Sequence, residues 1–89
     1  MQDYETIDIL KDAIYIDGNC PDIVIDGGFT VDDISDISFT TNTPDFVSGT
    51  CALDTTHPEG GSVPLYGDFE IAIDGNGEYT VTFGDFDLE

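Results

Sequence analysis

Residues 69–83, FEIAIDGNGEYTVTF, alternate apolar and polar side chains on both sides of Gly75-Asn76-Gly77. Alternation at period two places one set of side chains on one face of a strand, and a Gly-Asn-Gly step between two such runs is hairpin chemistry. With Gly77 in the left-handed position of a three-residue loop, Asp74 faces Glu78, Ile73 faces Tyr79, Ile71 faces Val81 and Phe69 faces Phe83. The inward pairs are then apolar. The same register puts Asp68, Glu70, Asp74 and Glu78 on the other face with Thr80 and Thr82. Beyond Gly84 the apolar positions slip by one to Phe86 and Leu88, so a bulge or bend is expected at that glycine.

The rest of the chain points the same way. Ile, Val, Thr, Tyr and Phe are abundant while Ala, Leu, Lys and Arg are scarce, which favours pleated strands. The phrase Ile-x-Ile-Asp-Gly occurs at residues 14–18, 23–27 and 71–75. It reads as strand-exit punctuation, with two isoleucines inward, an aspartate leaving the sheet and a glycine for the turn. Residues 14–25 are accordingly expected to form a hairpin around Asp17-Gly18-Asn19-Cys20-Pro21-Asp22. Thr30 and Asp33, with Phe29 and Ile34 as staple, resemble a helix start and predict a short helix over residues 31–37. Residues 1–13 fit either a helix or a strand. The expected fold is all-β: a small antiparallel sheet or sandwich of hairpins with one short helix, in a single acidic domain over residues 1–89.

Twenty acidic residues stand against one basic residue, Lys11, for a formal charge of −19. Nucleic acid and anionic membranes repel such a chain, so its expected partners are cations or basic proteins. No apolar run approaches bilayer length, and MQDYETIDIL has neither the basic start nor the apolar stretch of a signal peptide, so the expectation is a cytoplasmic protein. In that compartment Cys20 and Cys51 are expected as reduced thiols, a disulfide being the alternative.

Catalytic and metal chemistry find no pattern here. Asp74, Asn76 and Glu78 begin like a calcium loop, but Tyr79 stands where glycine is required and the closing glutamate is missing. His57, the one imidazole, sits in a loop sequence, and a thiolate nucleophile lacks the electropositive setting it needs. The expectation is a protein that is not an enzyme and carries no cofactor and no metal.

What remains is the placement of the charge. Spread evenly over about 5,000 Å² of surface, 20 carboxylates would stand about 16 Å apart, beyond the screening length of roughly 8 Å. Two apart on one strand face they are separated by about 6.7 Å and their potentials add. Asp68 and Glu70 meet that spacing, followed by Asp74 with Glu78, by Asp17, Asp22 and Asp26 at turns, and by Asp32, Asp33 and Asp36. These ten are the candidate partner-binding residues.

In length, acidity and lack of catalytic groups the chain resembles the small DNA-mimic proteins of phages and mobile elements, anti-CRISPR proteins among them. The resemblance is one of class, with no residue roles to carry over. It implies a stoichiometric inhibitor that blocks the basic nucleic-acid-binding channel of a host defence or DNA-processing protein. The rival expectations are a structural module of a virion or surface assembly, forming a homodimer by edge pairing through Phe86 and Leu88, and an ordinary halophile domain.

Overall fold

In the computed structural model, which describes residues 1–88, two helices precede four strands: α1 Asp3–Tyr15, α2 Asp22–Gly27, β1 Thr30–Asn42, β2 Phe46–Thr56, β3 Ser62–Ile73 and β4 Tyr79–Leu88. The strands form one antiparallel sheet in the order β1-β2-β3-β4. The chain is therefore mostly β, with one short and one very short helix.

The β3–β4 hairpin has the register that its alternation predicts. Ile73 pairs with Tyr79, Ile71 with Val81 and Phe69 with Phe83, and Gly77 takes φ 81°. The slip at Gly84 is a register shift: Phe69 and Gly67, two apart on β3, meet Phe83 and Phe86, three apart on β4. Phe86 thereby turns inward over Gly67, where an added Cβ would strike its ring, and packs edge-on against Phe83 at 5.9 Å. Contrary to the edge-pairing expectation, Phe86 is buried; Leu88 is exposed.

The ambiguous N-terminal segment is helical. Asp3 and Glu5 lie in the first turn, where negative charge favours the helix dipole, and the Glu5 carboxylate accepts the Gln2 N–H at 3.2 Å. Thr6, Leu10, Ala13 and Ile14 form the buried stripe.

The hairpin expected over residues 14–25 does not form. Its period-two signal fails on burial, since Ile14 is 7% exposed but Ile16 is 76% and Ile25 is 61% exposed. Ile14 belongs instead to the α1 stripe, and Gly18 at φ 70° turns the chain after the helix. Pro21, with φ −57°, precedes α2, and Gly28 at φ 68° closes it while the Phe29 N–H donates to the Val24 carbonyl at 3.1 Å. Ile-x-Ile-Asp-Gly therefore leaves a strand only in its third copy. The first copy spans the end of α1, with Gly18 at positive φ, and the second forms the body of α2 up to its last residue, Gly27, where the positive φ falls on the following Gly28.

The helix expected over residues 31–37 is also corrected: those residues lie in β1. Their three-residue apolar spacing comes from bulges. Val31 and Ile34 face Thr55 and Leu53, so three steps on β1 match two on β2, and further shifts lie between Ser35 and Ser38 and between Phe39 and Thr41. Asp36, at φ 53°, sits within the second irregularity. An irregular, acidic outer strand is a poor template for further strand pairing.

Both helices pack on one side of the sheet. Leu10, Ile14 and Val24 join Ile34, Val47, Leu53, Leu65, Phe69, Ile71 and Phe86 in the core. Leu10, Leu53, Leu65 and Phe69 are fully buried, each contributing about 1.5 to 3 kcal/mol through its removal from water. Of the alternate residues on the other side, Thr50, Asp68, Glu70 and Thr82 are exposed, Ser48 is half-buried and Ala52 is buried. One face of the sheet is thus left open.

Candidate protein-docking surface

Every described Asp and Glu side chain is exposed. The single basic side chain, Lys11, projects from α1 to Asp33 of β1 at 3.0 Å, the one salt bridge among the described residues. That hydrogen bond raises the Lys11 ammonium above its usual range and, together with the Ile34 N–H donated at 2.9 Å, holds the Asp33 carboxyl below its own. Asp33 is committed to the fold.

Asp68 and Glu70 stand on the open face. Asp68 is paired across to Thr50 and Glu70 to Ser48 on β2, and Thr82 of β4 lies on the far side of Glu70. On β1, Thr41 and Ser38 continue these rows. Two carboxylates about 6.7 Å apart, one strand repeat, therefore project from a bed of hydroxyl groups on a rigid surface.

At the hairpin tip Asp74 has a local task. Its Oδ1 accepts the Asn76 N–H at 2.8 Å and the Glu78 N–H at 3.0 Å, two main-chain donors that offset the repulsion between two carboxylates facing each other across the turn. Glu78 turns up elsewhere. With Asp12 and Asp17 it borders a cleft of about 450 Å³ between the end of α1 and the hairpin, whose apolar lining includes Ile9, Ala13, Ile16, Tyr79 and Val81.

The other predicted residues are dispersed. Asp22 opens α2 and borders a groove that Asp85 also lines. Asp26 is exposed near the end of α2. Asp32 accepts a hydrogen bond from the Thr56 hydroxyl across β1 and β2, and Asp36 lies at the bulge. The ten candidates thus do not form one patch. Two groups survive as free surface: Asp68 with Glu70, and Asp17 with Glu78.

Asp12 was missed as their neighbour, although a helical reading of residues 1–13 would have found it. Asp8 and Asp12 are four apart on α1, a repulsive spacing, and Asp12 lies in the last turn, where negative charge opposes the helix dipole.

Cys20 and Cys51 are free thiols. Burial pushes the Cys51 thiol up to about 12, aided by the Asp68 charge, and burial also raises Cys20. Neither has the low-pKa environment of a reactive thiol. The described residues contain no cluster of three potential metal ligands and no helix long and apolar enough to cross a membrane. Comparison with protein-family models, with curated proteins and with solved structures finds no match to this chain.

Proposed function

We propose that this chain is a stoichiometric inhibitor that imitates the charge of a nucleic acid and occupies the basic nucleic-acid-binding channel of a host defence or DNA-processing protein, acting in the cytoplasm. The observation that carries the reading is linear charge density. The 20 acidic residues less Glu89, against Lys11 alone, leave 18 net negative charges on a body 43 × 22 × 20 Å in extent. That is one charge per about 2.4 Å of the long axis, against one per about 1.7 Å in duplex DNA. The 43 Å length slightly exceeds one turn of duplex, about 34 to 36 Å.

A rigid carrier supports the same reading. Carboxylates held by a sheet lose little freedom on docking, and their exposure lets them exchange water for Lys and Arg without burying an unpaired charge first. Such association is fast and falls steeply with salt. The homodimer alternative loses one of its two edge-pairing residues, because Phe86 is in the core.

The test is retention of a host protein by this chain as bait, with excess duplex DNA as competitor. A discrete nucleic-acid-binding protein that DNA displaces supports mimicry; no such protein, or one that DNA leaves in place, removes it. Reversing Asp68 and Glu70 to lysine is then expected to weaken inhibition by about tenfold or more, roughly 1.4 kcal/mol. Glu59→Lys, at the exposed β2–β3 turn, is expected to do much less. Asp54 is unsuitable as a second control, since it lies directly opposite Asp33 in the sheet.

A further inference from the structure

The cleft between α1 and the β3–β4 hairpin combines two surfaces that a soluble domain has little intrinsic reason to keep together. Its lining includes buried Ala13 and half-buried Ile9 and Val81, flanked by Ile16, 76% exposed, and Tyr79, 53% exposed. Around this apolar strip stand the carboxylates of Asp12, Asp17 and Glu78. The last turn of α1 carries no basic residue and ends at this cleft, so the negative end of its dipole adds to the same field.

We propose that this cleft receives an arginine side chain of the basic partner, a proposal that rests on the docking function above. Apolar lining and charged border together match a long side chain with an aliphatic stem and a cationic head. A guanidinium is preferred over an ammonium for two reasons: its plane stacks on an aromatic face such as that of Tyr79, and its fork serves several carboxylates at once. A second copy of this chain is excluded as occupant by charge. It contains no arginine, and its one lysine is engaged with Asp33.

The wall of the cleft is built to hold its shape. The Asn19 side chain donates to the Val81 carbonyl at 2.6 Å, and the Asn19 N–H donates to the Ala13 carbonyl at 2.8 Å, tying the segment after α1 to both helix and hairpin. The occupant therefore meets a preformed groove.

The test is an amide-resolved NMR titration of the whole chain with blocked hexa-arginine and hexa-lysine peptides at physiological salt. Shift changes are expected to concentrate at residues 12–19 and 78–81, with hexa-arginine binding about fivefold more tightly than hexa-lysine, the increment of one stacked cation. Tyr79→Leu keeps the apolar volume and is expected to erase that preference, whereas Tyr4→Leu, at an exposed tyrosine elsewhere on α1, is expected to keep it. Shifts spread over the whole acidic surface, equal affinities for the two peptides, or an unchanged preference in Tyr79→Leu would each overturn the proposal. Those results leave charge mimicry to its own test, because displacement by DNA does not depend on where an arginine docks. A localised arginine preference with no DNA-displaceable partner would retain the cleft and remove the mimicry.

Discussion

The side-chain amide of Asn19 closes onto the main-chain carbonyl of Val81, joining the segment after α1 to the outer strand of the sheet. It uses one of the carbonyls that an edge strand leaves unpaired. Asn19→Ala is expected to cost about 1 kcal/mol in denaturant unfolding. Hydrogen exchange is expected to rise around residues 16–21 while β2 and β3 keep their protection; equal loosening of the whole sheet would contradict this local role.

At alkaline pH three groups act in the same direction. Burial raises the Cys51 thiol from 9.0 to about 12 and raises Tyr15, and the ion pair with Asp33 raises Lys11. Above pH 9 the unfolded chain loses the Cys51 proton while the folded chain keeps it, so stability falls by at most about 1.4 kcal/mol per pH unit from this group. Tyr15 and Lys11 add to the fall from about pH 10 and 10.5, as the pH rises through their folded values. Cys51→Ala is expected to flatten the stability profile between pH 9 and 12, after allowance for a lower baseline.

The acid side has the opposite sign. The Asp33 carboxyl is depressed in the folded state, so the stabilisation from Lys11 and Ile34 is complete above its unfolded value and disappears as pH falls through the folded one. Lys11→Met should remove most of this dependence, as measured by denaturant midpoints from pH 5 to 2.

Two hairpin glycines separate conformation from space. Neither Gly75 nor Gly77 has an atom within 4 Å of a built Cβ, but only Gly77 has positive φ, 81°. Gly77→Ala is expected to cost about 1 kcal/mol or more, while Gly75→Ala should be neutral or slightly stabilising through the unfolded chain. Gly49→Ala is a harsher case, because its Cβ would run into the main-chain carbonyl of Ser38 beside the β1 bulge. A loss above about 3 kcal/mol is expected there in the same unfolding assay.

Unrelieved surface charge makes stability depend on salt. The thermal midpoint is expected to rise by about 5 °C or more between low and physiological ionic strength, roughly 1 kcal/mol for a domain of this size. A halophile's domain would instead unfold in dilute buffer and recover in molar KCl.

The sequence was most legible where the strands are regular. The β3–β4 register and the slip before Phe86 follow from local alternation and two glycines. Legibility failed on β1, where Thr30 and Asp33 imitate a helix cap and the first two of three irregularities set Val31, Ile34 and Ile37 three apart instead of two. It failed again at residues 14–25, where the Ile14 and Ile16 alternation is real in the chain but has no buried face in the fold. For the surface, the acidic character and the Asp68–Glu70 pair were readable. That Asp33 and Asp74 would spend their carboxylates on Lys11 and on turn amides was not, since both depend on neighbours set by the fold.

The strand order β1-β2-β3-β4 has a kinetic consequence. Each strand pairs only with its sequence neighbours, so the sheet can assemble one short loop at a time, and no distant segment must be found before pairing starts. Only the helices close longer loops, with the N-terminal Met1 ammonium donating to the Asn42 side chain at the far end of β1 at 2.8 Å. A chain so strongly self-repelling gains from that sequence of events: each hairpin brings together only a few carboxylates before the apolar face is covered.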